Sequence, residues 1–348
     1  MPLITDYNNV KEIYQRVAES GIILPTFCAE DRETLEAIMA SVLEVGKEIG
    51  VEDLPIITAW TSRYPGRGQM TLLTACGDPY VGIHLMLSDL KVFMGETSPY
   101  HKLKVLPHLD HAFPWIDGDI LIDFADEFAS VMCDASEKPF EENIRITAEY
   151  VERVRGRVFV EGEVDEVFEA SGTGHRNKLT TVEQAVKFLR ETGVDLIVPN
   201  VGTEHRSTVD KSEYKSERAR EISTEVGKIL CLHGTSSVRI EDLSKLSEDG
   251  FVKVNIYTVL AVRGGQALVD KVLRNLNSVF TEQQLRDYIA QGILGEAVLS
   301  VCSGANGHSI GPKLDWVANP RRRDAWFEAV KETCKEFLKV FNYDNFAK

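Results

Sequence analysis

Three histidines and one aspartate are the residues of this chain whose types and positions could do chemistry. Asp110 and His111 follow one short apolar run, and His205 and His233 follow or end two others. Neutral imidazole is a good zinc ligand, and three histidines leave a fourth position open for substrate, which is the pattern of a catalytic site. A zinc ion there could polarise a carbonyl and stabilise the enediolate formed when a neighbouring proton is lost. Asp110, beside a ligand, is a candidate to move that proton.

The histidines, and the acidic residues near other predicted strand ends, also have simpler interpretations. A single histidine is more often a core or loop residue than a ligand, and only the shared placement of three favours a site. Asp134 could cap the helix predicted to start near Pro139. Glu161 and Glu163 could be a solvated strand end.

The elements that must position these residues are eight short apolar runs with helical stretches between them. Near-continuous apolar strands are typical of a parallel sheet buried on both faces. Eight βα steps favour an α/β fold of the (β/α)8 TIM-barrel type. The alternative, a doubly wound open sheet, lacks a Gly-x-Gly-x-x-Gly segment after the first run. The predicted strands are 21–27, 54–60, 103–106, 128–132, 157–160, 196–198, 229–232 and 251–256. Helices are predicted around 35–45, after Pro139 through Val154, at 181–192, 216–226 and 240–247, and at about 324–341.

In such a barrel the active site lies at the carboxyl ends of the strands. Polar residues at those predicted ends should converge, and the substrate-binding candidates among them are Thr61, Ser62 and Asn255. We expect one barrel domain over residues 1–348, with 260–348 as a C-terminal helical elaboration.

Composition limits the possible partners. The 348 residues are 43% hydrophobic and 27% charged, an ordinary globular balance, and the formal charge of −15 argues against nucleic acid or an anionic membrane. The N-terminus lacks a basic segment followed by an apolar core, and no uncharged apolar run approaches the roughly 20 residues that span a bilayer. We therefore expect a cytoplasmic protein that acts on a small molecule.

The chain resembles the class II, metal-dependent fructose-bisphosphate and tagatose-bisphosphate aldolases over roughly residues 20–260. The most specific match is 130–144, which contains a strand, Asp-x-Ser, and Pro-Phe-Glu-Glu-Asn at a helix start. Gly-Thr-Glu-His, ending at His205, and His-Gly-Thr-Ser, followed by Lys-Val-Asn-Ile at 253–256, occur in the family's order and spacing.

The resemblance implies roles for individual residues. It implies that His111, His205 and His233 bind the catalytic metal and that Asp110 transfers a proton at the nascent hydroxyl. Glu163 is then a glutamate that can ligate the metal in one of its positions. The resemblance further implies that Asp134 lies near a secondary metal position and that Gly234, Ser236 and Thr258 form part of a phosphate cradle. It also implies that Arg321 reaches the distal phosphate across the interface of a homodimer or homotetramer.

Several positions depart from the family pattern close to these residues. Cys28 stands where an asparagine is expected, Tyr257 where an aspartate is expected, and Thr235 where a glycine is expected. Arg206 replaces a glycine after the middle histidine and would suit a carboxylate or a differently placed phosphate. These departures predict a substrate other than fructose bisphosphate.

The family's glycine-rich loop, which carries a catalytic acid, is altered at 168–176. Glu169 or His175 could take that role.

The sequence as a whole predicts a zinc-dependent, aldolase-like lyase acting on a ketose or ketose phosphate. A metal-dependent isomerase or epimerase would need the same enolate without carbon–carbon cleavage. A non-catalytic binding protein on the same barrel is the third possibility, and it would have no need for the three histidines and the aspartate together. Three imidazoles also suit cobalt, manganese or iron.

Overall fold

The fold is a closed barrel of parallel strands, seen in a computed structural model that describes residues 3–167, 179–204, 214–304, 311–313, 316 and 319–348. The eight strands pair in chain order and the first also pairs with the last. This confirms the predicted (β/α)8 barrel. The strands are β1 (Leu24–Cys28), β2 (Pro55–Thr61), β3 (Lys104–Ala112), β4 (Ser130–Cys133), β5 (Phe159–Glu163), β6 (Leu196–Val198), β7 (Leu230–Leu232) and β8 (Phe251–Ile256).

Helices connect the strands and follow the last one. The described helices are α1 (Tyr7–Ser20), α2 (Arg32–Ile49), α3 (Gln69–Leu72), α4 (Pro79–Phe93), α5 (Pro114–Asp123), α6 (Phe140–Val154), α7 (Val182–Thr192), α8 (Ser216–Val226), α9 (Ile240–Leu243), α10 (Thr258–Leu273), α11 (Glu282–Ala290), α12 (Ala297–Gly304) and α13 (Asn319–Val340). None of the described helices is both long enough and apolar enough to cross a bilayer.

Local sequence signals explain where these elements begin and end. Asp31 caps α2 by accepting a hydrogen bond from the Thr34 amide, and Thr181 forms a capping box with Gln184 at α7. The predicted first strand began too early, because Gly21 is the left-handed C-cap of α1, with φ of 66°. The helix predicted at 240–247 is shorter than expected, since α9 ends at Leu243.

The third strand is longer than predicted, and this matters for the site. β3 continues through Asp110 and His111, so the pair lies inside the strand and not beyond its end. The pairing of β3 with β4 shifts register between Leu109 and Ala112, and His111 has a φ of 42°. Adjacent residues of a regular strand point to opposite faces. The irregularity interrupts this alternation of side chains, so Asp110 and His111 can both point toward the same group of site residues.

The chain divides into two compact units. One contains Met1–Val259 together with Cys334–Lys348, and the other is Leu260–Thr333. The second unit therefore stops before the end of the predicted elaboration at residue 348, because the last residues pack with the barrel strands. Tyr343 is buried and donates a hydrogen bond of 2.7 Å to the Pro55 carbonyl. The second unit has its own small core around Leu276 and Leu285. That the whole chain acts as a single domain stays a prediction.

Candidate metal centre and active site

His111 and His233 face each other at the carboxyl ends of β3 and β7. Nε2 of His111 lies 3.1 Å from Nδ1 of His233. The second ring nitrogen of each histidine contacts a carboxylate: Nδ1 of His111 lies 2.8 Å from Asp134, and Nε2 of His233 lies 3.0 Å from Glu161. Each carboxylate fixes a proton on the nitrogen that it contacts. The two imidazoles therefore direct lone pairs toward the same point, as metal-ligating histidines with carboxylate partners do.

The spacing of these two nitrogens fits a shared cation. Two imidazoles on one tetrahedral zinc, with bonds of about 2.0–2.1 Å, would place their nitrogens roughly 3.3 Å apart. Without a cation, a proton on one of the two nitrogens would have to bridge them, because two facing lone pairs at this distance repel each other. Asp110 joins the same cluster, since one candidate ligand atom from each of Asp110, His111 and His233 lies within 4.8 Å of the others.

The ionisation of this cluster follows from burial and neighbouring charge. Burial lowers the pKa of His233. Burial acts in the same direction on His111, but the charges of Asp110 and Asp134 outweigh it and raise the pKa of His111. Burial tends to raise the pKa of Asp134, yet the hydrogen bond with His111 holds it below its usual range. Asp134 is therefore an ionised carboxylate that orients a histidine.

Glu163, at the end of β5, offers a further donor. Its Oε1 accepts a hydrogen bond of 2.8 Å from the Val167 amide. Its Oε2 is buried, lacks a hydrogen-bond partner among the described residues, and lies 3.9 Å from Nδ1 of His111. Burial and the charge of Asp134 raise the pKa of Glu163 well above its usual range. An orphaned buried carboxylate oxygen is the kind of atom that a cation would satisfy, so the donor set fits a divalent metal.

Glu161 and Glu163 are both buried, so the alternative of a solvated strand end is wrong. Asp134 does not cap α6, whose N-cap is Pro139; it accepts hydrogen bonds from the amide and hydroxyl of Ser136 instead.

Asp110 is held by three neighbours. It accepts hydrogen bonds of 2.8 Å from the Asn255 amide and 3.0 Å from Arg67, and the Cys28 thiol lies 3.6 Å away. Burial tends to raise the pKa of Asp110, but the nearby His111, His233 and Arg67 hold it well below its usual range. The carboxylate is therefore ionised and able to accept a proton.

A buried network connects Asp110 to His233, the residue that follows β7. Asn255 accepts a hydrogen bond of 2.7 Å from the Lys253 ammonium, which also pairs with Glu161 at 2.8 Å. Glu161 in turn contacts His233. This series of contacts therefore fixes the orientation of the Asp110 carboxylate relative to the His233 ring. Lys253 was not among the predicted site residues, although a lysine between the valines of β8 is a visible signal.

Comparison with known proteins decides the family. The model for class II fructose-bisphosphate aldolases matches residues 8–345. This chain belongs to the class II fructose-bisphosphate aldolase family. A fructose-bisphosphate aldolase of Staphylococcus epidermidis is 30% identical over 291 residues, which cover 80% of this chain and 89% of that protein. The resemblance inferred from the sequence is confirmed.

Solved structures show the same fold. The fructose-bisphosphate aldolase of Campylobacter jejuni has a TM-score of 0.71 and 20% identity, with 99% of this chain and 96% of that chain covered. The YdjI aldolase of Escherichia coli K12 has a TM-score of 0.65 and 20% identity, with 97% and 98% covered. Class II aldolases are lyases and typically depend on a metal, so the prediction of an enzyme is also confirmed.

Thr61 and Ser62, which were predicted as polar residues at a strand end, have structural roles after β2. Thr61 is buried, its hydroxyl donates to the Arg67 carbonyl, and its amide donates to Gln69 at 2.9 Å. Thr61 therefore holds the loop after β2. Ser62 is likewise fully buried. A direct contact of either residue with substrate stays a prediction.

The segment after β7 is shaped by close backbone approach. Gly234 has a φ of 71°, and a Cβ there would lie 2.8 Å from the Glu204 backbone. The Thr235 hydroxyl donates to the Asn255 carbonyl at 2.7 Å, which ties this segment to β8. Ser236 is half-buried, and Thr258 is the first residue of α10. Their role as a phosphate cradle stays a prediction.

The structure does not describe the side chains of the remaining predicted site residues. Arg321 lies in the first turn of α13, but its side chain is outside the described part. Glu169, His175, His205 and Arg206 lie outside the described residues.

Proposed function

We propose that this chain catalyses reversible aldol cleavage and condensation on a ketose or ketose phosphate other than fructose bisphosphate. The observation that supports it most is the convergence of Nε2 of His111 and Nδ1 of His233, each with its other nitrogen on a carboxylate, beside an ionised Asp110. Family membership supports the reaction class.

We propose zinc as the metal, held by His111, His233 and the predicted third ligand His205, with Glu163 as an additional donor. When bound, the ion supplies Lewis acidity for a substrate carbonyl. Asp134 and Glu161 keep the two described imidazoles in the tautomers that leave their lone pairs available.

Asp110 carries the proton in this proposal. In the cleavage direction its carboxylate takes the proton of the hydroxyl beside the carbon–carbon bond. The oxygen's electron pair forms the aldehyde carbonyl, the carbon–carbon bond breaks, and its electron pair remains on the other fragment as an enolate. In condensation Asp110 returns the proton to the new hydroxyl. Asn255 and Arg67 hold the carboxylate in place for this transfer.

Two departures from the family pattern support a different substrate. Tyr257 replaces the expected aspartate, and its hydroxyl donates to Glu30. Cys28 replaces the expected asparagine, and burial raises the pKa of its thiol to about 12, so it stays neutral. Tyr257 lacks the carboxylate, and Cys28 the amide, of the residue that it replaces.

A substrate panel with zinc tests the proposal. We expect cleavage of at least one ketose or ketose phosphate, with fructose bisphosphate a poor substrate. Deuterium uptake from solvent without cleavage would favour an isomerase or epimerase. Ligand binding with neither uptake nor turnover would favour a binding protein. We also propose a homodimer or homotetramer, from the resemblance at Arg321, and light scattering of the purified protein checks it.

A further inference from the structure

Arg67 is a buried cation in the candidate site, and its contact with Asp110 uses only part of its hydrogen-bonding capacity. It lies in the loop between β2 and α3, and only 12% of its side chain is exposed. Its Nη2 lies 3.0 Å from Asp110. The hydroxyl of Thr61, at the end of β2, donates to its carbonyl and fixes the loop that delivers it.

Two tyrosines hold the guanidinium in place. The Arg67 Cζ lies 4.1 Å from the ring centroid of Tyr257 and 5.9 Å from that of Tyr64. Tyr257 is anchored by its hydrogen bond to Glu30, and the Tyr64 ring packs against the His111 ring with centroids 4.9 Å apart. Aromatic contacts of this kind stabilise a cation and restrict its orientation.

The departures from the family pattern converge on this arginine. Tyr257 and Cys28 come from opposite ends of the barrel sequence, yet the Cys28 sulfur lies 3.8 Å from Nη2 of Arg67 and Tyr257 stacks on it. Position 257 therefore presents a neutral ring to the guanidinium, and not the carboxylate that the family pattern predicts there. The three residues therefore form one unit, which places positive charge next to Asp110.

The guanidinium also has donors to spare. Arginine carries five N–H donors in a planar fork that matches carboxylate and phosphate. Nε of Arg67 is buried and has no hydrogen-bond partner among the described residues. A buried donor without a partner is unfavourable unless something else satisfies it, and an anion on a ligand would do so.

We propose that Arg67 binds an anionic group, a carboxylate or a phosphate, on the aldehyde half of the substrate. The location follows from Asp110: this residue acts on the hydroxyl that becomes the aldehyde carbonyl, so a group beside it faces that fragment. The inference rests on the proposed aldol reaction for this orientation. It names the substrate class as an acidic aldehyde.

Calorimetric titration of the zinc-containing protein tests the assignment without requiring turnover. The probes are D-glyceraldehyde 3-phosphate, succinic semialdehyde, which carries a carboxylate, and neutral D-glyceraldehyde. We expect wild type to bind at least one acidic aldehyde more tightly than the neutral one. Arg67→Gln should weaken acidic binding roughly 10- to 100-fold, the effect of losing a charge-assisted hydrogen bond, and leave neutral binding unchanged. Which acidic probe is affected distinguishes a phosphate from a carboxylate.

Two further variants guard against a folding artefact. Arg63→Gln removes another arginine of the same loop, one that pairs with Asp119 instead of Asp110, and should bind like wild type. Arg67→Lys keeps the charge and should recover part of the acidic binding. Equal loss of acidic and neutral binding in Arg67→Gln, no loss, or no preference for acidic aldehydes in wild type would each overturn the proposal. Arg67-dependent binding without turnover of any substrate would instead contradict the proposed aldol reaction alone.

Discussion

Replacing Lys253 by methionine should destabilise the barrel strongly, because it leaves a buried carboxylate without its cation. Lys253 and Glu161 form an ion pair of 2.8 Å, and their side chains are 0% and 1% exposed. Lys253 also donates to Asn255 at 2.7 Å. Removing one partner of a buried pair typically costs about 3–5 kcal/mol, because the remaining charge loses both water and its counterion.

Two other variants separate this cause from a loss of packing. Lys253→Met combined with Glu161→Gln removes both charges and should recover about 2 kcal/mol or more of the lost stability. Lys104→Met makes the same substitution at the start of β3, where the side chain is 33% exposed and its partner Asp53 is 60% exposed. An exposed pair contributes only about 0–1 kcal/mol, so this variant should remain close to wild type.

The pH dependence has a defined sign. Burial tends to raise the pKa of Glu161, but the charge of Lys253 outweighs it and lowers the pKa. In wild type, Glu161 thus stabilises the fold above its unfolded pKa of about 4.3, and the contribution is lost as the pH falls further. Without Lys253, burial raises the pKa of Glu161, so the penalty of Lys253→Met should shrink as the pH falls from 7.5 to 5.

Chemical denaturation of the metal-free protein, followed by far-UV circular dichroism in the presence of a chelator, measures these differences. The denaturation slopes must agree among variants for the midpoints to report stability. A loss in Lys253→Met no larger than that in Lys104→Met would refute the reasoning. So would a double variant as unstable as Lys253→Met alone.

Four other variants, one of them a control, test the site and the barrel. Asp134→Asn should weaken zinc binding about 10- to 100-fold in a chelator competition, because the carboxylate orients His111; unchanged affinity would contradict that role. Asp110→Asn should retain metal by elemental analysis but abolish cleavage of the carbon–carbon bond, because the hydroxyl then has no base to take its proton, and cleavage that persists would mean that another residue takes that proton. Gly162→Ala should cost about 1–3 kcal/mol, since a Cβ there would lie 2.9 Å from Phe188; Gly118→Ala, with nothing within 4 Å, should stay within about 1 kcal/mol of wild type.

The local sequence was sufficient to predict the barrel and most of its strands. β6 and β8 have the predicted bounds. Leu196–Val198 is apolar throughout, so it must be covered on both faces. The helices between β2 and β4, namely α3, α4 and α5, were not predicted. Their apolar periodicity is weak, and packing on the strands decides that they form.

The sequence by itself determined which residue types are available at the strand ends and, through the family motifs, the kind of chemistry they serve. Only the tertiary structure decided which of them meet. His111 and His233 are 122 positions apart, and Arg67 and Asp110 are 43 apart, so no local spacing relates them. Closure of the barrel makes distant strand ends neighbours, and the register shift in β3 turns two adjacent side chains toward one cluster. For that reason the metal ligands could be proposed from the sequence, whereas the cation beside Asp110 could not.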